Sequence, residues 1–282
     1  MLLTRVLTAL ALLPLVLGPL FLASSAGWAL FALVVALLAC WEWSRMCGLT
    51  PPGRWLYLAA SGAIGGFLWL MVAGYAPGNF AAAALTAFIL AAAFWLLAAP
   101  LWLARRARPS PSTCAVAGWL VAWPTWFELI VLREASPWLL LAVAALVWVA
   151  DIAAYFAGKR FGRHKLAPAV SPGKTWEGAA GGMAGVAVYG LVLAAVAQQW
   201  NTPLTRIFEP ALGLPAIVAM LLLAALSVVG DLFESWMKRG AGLKDSSRLL
   251  PGHGGVLDRI DALTSTLPLA ALALFATRGV GP

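Results

Sequence analysis

The chain has 282 residues, of which 62% are hydrophobic and 11% charged, with a mean hydropathy of +0.89 and a formal net charge of +8. Soluble domains carry about 25% charged residues, so there is too little polar surface here to coat a water-soluble globule, and lipid is the natural solvent for most of the chain. The basic excess lies between apolar runs, without the interleaved aromatics that stack on bases, which excludes nucleic acid as a partner and points to membrane topology and to phosphates.

Apolar runs long enough to cross a hydrocarbon core of about 30 Å as helices are predicted at 6–23, 28–45, 56–74, 80–103, 114–132, 138–157, 178–199, 213–235 and 261–277. The first, from Val6 to Ala23, is longer than the core of a signal peptide and counts as a transmembrane helix. The runs are continuous, with no apolar/polar alternation, so helices are expected and barrel strands are not. The fold class is an all-α polytopic membrane protein with about nine transmembrane helices and a cytoplasmic N-terminus. In that orientation all 19 Lys and Arg residues except Arg133, Arg206 and Arg278 fall in cytoplasmic segments, the asymmetry that the positive-inside rule describes.

Two regions differ in character within one membrane domain. Residues 1–137 are N-terminal transmembrane helices with short loops and no cluster of reactive groups. Cys40, Cys47 and Cys114 form no metal or disulfide pattern and are expected to be buried small residues. Glu42, between Trp41 and Trp43, serves the site or pairs with a neighbouring arginine, and Glu128 lies in the outer half of its span. Residues 138–282 contain two cytoplasmic loops, 158–177 and 236–260, and most of the 11 acidic residues.

Three clusters carry the chemistry. Asp151 and Tyr155 precede a basic glycine-bearing loop and then Ser171-Pro172-Gly173-Lys174-Thr175. This is no P-loop, because Pro168 stands where that motif needs glycine. It is a loop for phosphate or lipid headgroups, or a basic loop that only fixes topology. Next, Asp231, Glu234, Ser235 and Lys238 follow i, i+3, i+4, i+7 spacing and make one polar stripe on an apolar helix. Such a stripe must face protein or water, either as a site or as an internal ion pair. Third, Lys244 and Asp245 precede Pro251-Gly252-His253-Gly254-Gly255 and Asp258-Arg259-Ile260-Asp261. Glycines there allow backbone N–H groups to approach an anion, with His253 as a phosphate contact. Carboxylates from separate helices suit magnesium, which takes hard oxygen ligands together with substrate phosphates, and the flanking Lys and Arg suit phosphoryl-type transfer.

Ser235-x-x-Lys238-Arg239, Lys244-Asp245, Pro251-x-His253-Gly254-Gly255 and Asp258-Arg259-Ile260-Asp261 together resemble the signature of the phosphatidate cytidylyltransferase (CDP-diglyceride synthase) family. Asp151-x-x-Ala154-Tyr155 and Ser171 to Thr175 also resemble it, so the likeness covers roughly residues 138–265. The resemblance implies transfer of CMP from CTP to phosphatidic acid, giving CDP-diacylglycerol and pyrophosphate with Mg²⁺, at the cytoplasmic face of the inner membrane. It implies Asp231 and Asp258 as magnesium ligands, each from a different helix end; Asp261 is expected beside them as a supporting carboxylate, directly or through water. Lys238, Arg239, Lys244 and Arg259 are the expected triphosphate contacts, and Asp245 is grouped with the catalytic residues. Ser171, Lys174 and Thr175 are expected to hold the lipid phosphate or close over CTP. Asp151, Ser235, Gly254 and Gly255 complete the expected substrate-binding set. A phosphate monoester is already a nucleophile at neutral pH, so no residue need act as a strong general base. The family is known for homodimers, although no interface is marked in the sequence. A CTP-dependent lipid kinase is the rival enzyme. An ion-coupled transporter is the rival of another class, but the paired repeats and broken midplane helices common in transporters are missing.

Overall fold

The computed structural model describes residues 2–74, 77–106, 108–199 and 213–278. The chain is nearly all helix: α1 (Leu2–Leu22), α2 (Ser25–Ser44), α3 (Pro51–Gly74), α4 (Pro77–Ala93), α5 (Ala99–Arg105), α6 (Pro111–Ala135), α7 (Pro137–Phe161), α8 (Trp176–Gln199), α9 (Gly213–Gly240) and α10 (Leu257–Arg278). A π-helical turn, Phe94–Ala98, joins α4 and α5 into one rod. Among the described residues, eight helices are long and apolar enough to cross a membrane. Arg206, one of the outer basic residues of the topology count, lies outside the described residues.

Helix starts follow local chemistry. The Ser24 hydroxyl accepts from the Gly27 N–H at 3.2 Å, and the Ser110 hydroxyl accepts from the Thr113 N–H at 3.2 Å, with Pro111 and Pro137 occupying first helical positions. Three of the helix ends that extend past the predicted spans bear on the polar clusters. Helix α7 runs on through Lys159 and Arg160, and α9 through Lys238 and Arg239. Basic side chains there favour the negative end of the helix dipole and prolong the last turn. Helix α10 begins at Leu257, so Asp258 and Asp261 lie on its first two turns. The 158–177 segment is not a plain loop. It contains an antiparallel hairpin, β1 (Lys165–Ala167) and β2 (Ser171–Thr175), with Lys165 opposite Thr175 and Ala167 opposite Ser171.

One end of the bundle gathers the loops. Thr8 of α1 donates to the Pro251 carbonyl at 2.8 Å, Arg54 of α3 donates to Ser44 of α2 at 3.1 Å, and Arg108 before α6 lies against Gly240 at the end of α9. At the other end Trp28 of α2 donates to the Leu129 carbonyl of α6 at 2.8 Å, and Arg133 of α6 reaches the Leu20 carbonyl of α1 at 3.2 Å. Successive rods therefore alternate in direction, as repeated crossings require.

Close backbone approach holds the C-terminal helices. A Cβ at Gly182 of α8 would sit 3.0 Å from the Ala150 carbonyl of α7, and one at Gly185 only 2.6 Å from the Ala153 Cβ. Membrane helices associate through such small-residue faces, because lipid removes the hydrophobic drive to pack. On α9, Phe233 is fully buried among Trp43, Phe94, Trp95, Trp102 and Trp236. The π turn presents consecutive residues Phe94 and Trp95 edge-on to that ring, each with centroids 5.5 Å away. Anchoring Phe233 on this side turns the stripe of Asp231, Glu234, Ser235 and Lys238 toward α10 and the hairpin.

Candidate active site

A cavity of about 470 Å³ opens between α7, the hairpin, α8 and α9. Its polar end carries Asp151, Lys159, Ser171, Lys174 and Asp231, and its wall toward α8 and α9 is apolar, with Ala179, Met183, Ala224 and Val228. The hairpin forms its rim. Glu177 fastens the base of that hairpin: its carboxylate accepts from the Arg163 and His164 N–H groups at 3.1 and 3.2 Å and from His164 Nδ1 at 2.6 Å. His164 thus anchors the base of the hairpin. Lys174 then reaches across to Asp231 Oδ2 in an ion pair, and Ser235 donates to Asp231 Oδ1 at 3.3 Å.

The second carboxylate centre is deeper. Asp258 Oδ2 accepts from the Ser246 N–H at 2.9 Å, the Ser246 hydroxyl at 2.9 Å and the Gly255 N–H at 2.7 Å, while Oδ1 accepts from Lys238 Nζ at 2.5 Å. Lys238 also ion-pairs with Glu234, whose buried carboxylate has no other partner among the described residues. Asp261 lies within electrostatic reach of Asp231, Lys238 and Lys174, so it stands near both centres. Gly230 brings this about. A Cβ there would lie 2.7 Å from the Asp261 carbonyl, so only glycine lets α9 approach α10 so closely beside Asp231.

No cluster of three or more His, Cys, Asp or Glu side chains arranged to hold a metal occurs among the described residues. Magnesium needs fewer protein ligands when phosphates supply the rest. Asp231 and Asp258 each present one oxygen to a lysine ammonium, so a cation is electrostatically favoured at both. Hard carboxylate oxygens of this kind fit magnesium.

Most of the residues singled out after Ser235 lie apart from the cavity. Gly254 and Gly255 do approach carboxylates, but these are the protein's own. A Cβ at Gly254, whose φ is +83°, would meet Asp258 Oδ2 at 2.5 Å, and one at Gly255 would run into Glu42 and Ser246. An internal anion already fills the cradle expected for a phosphate. Lys244, Asp245, Arg239 and Arg259 are exposed around this loop, and Arg239 donates to the Leu243 carbonyl at 3.2 Å. His253 does not line the cavity, and its Nδ1 is buried without a hydrogen-bond partner among the described residues. Thr175 lines the cavity, yet its hydroxyl accepts the Gly178 N–H at 3.1 Å and so caps α8. Arg259 bears electrostatically on Asp151 from across the site. Lys159, from the basic loop expected to bind phosphates or headgroups, lines the cavity, as does Ser227, which no sequence signal marks; Ser246 and Ser247 hydrogen-bond Asp258 and Glu42. The one sequence signal for Ser246 and Ser247 is a pair of short hydroxyls directly after Lys244-Asp245.

Alternating membrane-length helices with lysines and carboxylates collected at one end, beside an apolar-walled cavity, define a multi-pass membrane protein built to handle phosphates. The family model described as the cytidylyltransferase family matches residues 3–277, and the chain belongs to that family. It is 43% identical to a Pseudomonas aeruginosa protein named phosphatidate cytidylyltransferase, over 98% of each chain. Proteins of the same name from Haemophilus influenzae and Brucella suis are 37% and 36% identical, over 98% and 97% of this chain and 99% and 94% of theirs.

Proposed function

We propose that the chain transfers the cytidylyl group of CTP to the phosphate of phosphatidic acid, releasing pyrophosphate, at the cytoplasmic face of the inner membrane. The observation that carries this is the cavity itself, where Asp231, Lys174 and Ser171 meet an apolar wall between helices. A lipid phosphate has a place for both its charge and its glycerol. Full-length likeness to proteins named for this reaction supports it, and the basic residues of the loop-bearing end support the cytoplasmic orientation.

A lipid phosphate oxygen forms a bond to the α-phosphorus of CTP as the bond from that phosphorus to the α–β bridging oxygen breaks, and the electron pair leaves with pyrophosphate. Lys174, Lys159 and Ser171 hold and orient the lipid phosphate, and the hairpin narrows water access to it. Lys238 faces the triphosphate side, where its charge offsets that of the departing pyrophosphate. Asp231 and Asp258 would hold magnesium, with Asp261 in support, and the metal supplies charge neutralisation and alignment of the phosphates. No side chain is required as a base, since the attacking phosphate is already ionised at neutral pH.

Incubating the purified protein with CTP, phosphatidic acid and magnesium tests this. Equal amounts of CDP-lipid and pyrophosphate are expected, with activity lost to chelator and restored by magnesium. A phosphorylated lipid with CDP as co-product would establish the kinase instead, and absence of both products would overturn the proposal.

A further inference from the structure

Glu42 accepts four hydrogen bonds, as many as Asp258, and it comes from the half of the chain without reactive clusters. It is fully buried on α2. Oε1 accepts from the Ser247 hydroxyl at 2.6 Å and the Val256 N–H at 2.9 Å, and Oε2 accepts from the Ser246 hydroxyl at 3.0 Å and the Leu257 N–H at 2.6 Å. The two amides are orphan donors at the N-terminus of α10, where a negative charge is favoured by unsatisfied N–H groups and by the helix dipole. Ser246 is shared, because its hydroxyl contacts both Glu42 Oε2 and Asp258 Oδ2.

We infer that Glu42 is a positioning residue for the reaction, clamping residues 246–257 and the first turn of α10 so that Asp258 and Asp261 face α9. The inference rests on the proposed cytidylyl transfer. Glu42 touches no cavity-lining residue by hydrogen bond, so it acts on where α10 stands and not on the lipid pocket. Glutamine cannot substitute. It keeps one acceptor oxygen and places an amide donor against the other two donors; the serine can turn away, but the backbone N–H cannot. Without the clamp, α10 loses its fixed start, and misplacement of about 1 Å at a reacting centre lowers turnover by about 10²-fold.

The test is Glu42→Gln in the full chain, with two readouts. In steady-state assays, kcat is expected to fall by about 10²-fold while the KM for phosphatidic acid stays within about twofold. In hydrogen exchange without substrate, peptides covering 246–258 should exchange faster while α7–α8 peptides keep wild-type rates, a local signature that general destabilisation does not give. Wild-type kcat, or faster exchange throughout the protein, would overturn the inference. If Glu42→Gln fails to insert, the Ser246→Ala/Ser247→Ala variant carries the same two tests, with the same local exchange and lowered kcat expected. A wild-type enzyme inactive toward CTP and phosphatidic acid would sink the proposed function instead, while the exchange result would still decide whether the clamp exists.

Discussion

Removing the ammonium of Lys238 should strand two carboxylates together. Lys238 Nζ contacts both Glu234 and Asp258, and the three side chains are only 10%, 3% and 4% exposed. Breaking a buried ion pair by deleting one partner costs about 3–5 kcal/mol, because an uncompensated charge stays behind. Lys238→Met keeps the length and apolar stem of the side chain, so the loss is mostly electrostatic. Asp258 retains three donors on Oδ2, whereas Glu234 has none left among the described residues, so most of the penalty falls on Glu234. Adding Glu234→Met, which removes the buried polar group altogether, should therefore recover about 1–3 kcal/mol, the penalty of an unsatisfied buried group. Unfolding followed in mild detergent at fixed pH measures both variants. A Lys238→Met protein as stable as wild type would refute the reasoning, and so would a double variant no more stable than the single one.

Asp231→Asn and Asp258→Asn should each lower turnover by orders of magnitude while the protein still inserts; steady-state rates at saturating magnesium check this, and normal turnover in either would refute the metal assignment. Lys174→Met should behave differently from Lys238→Met, since its ion pair with Asp231 is 26% and 30% exposed. Unfolding should shift by no more than about 1 kcal/mol, with the KM for phosphatidic acid raised. Gly230→Ala should destabilise by about 1–3 kcal/mol through overpacking, because its methyl group would press on the Asp261 carbonyl; thermal unfolding reads this directly.

Much of this was legible in the residues alone. Continuous apolar runs mark the helices because lipid demands internally bonded backbone, and the spacing of Asp231, Glu234, Ser235 and Lys238 marks one face of α9. What stayed hidden depends on contacts remote in sequence. Glu42 sits between two tryptophans, and nothing nearby announces donors more than 200 positions away. The glycines at 254 and 255 announce close approach to an anion, but not whether that anion is a ligand or Asp258 and Glu42. The hairpin was obscured because β1 has three residues and β2 contains Pro172 and Gly173, too short and too irregular for strand alternation to register.

The proposed function requires that Asp231 on α9 and Asp258 on α10 hold a divalent cation at the phosphates of a nucleotide. Diffraction from crystals soaked with manganese and a non-hydrolysable CTP analogue, using the anomalous signal of the metal, measures that most directly. A manganese peak contacting both carboxylates, with Lys174 and Lys238 turned to phosphate oxygens, is the predicted result. A peak that contacts neither aspartate, or a bound nucleotide with both lysine pairs intact and no metal beside it, would contradict the account.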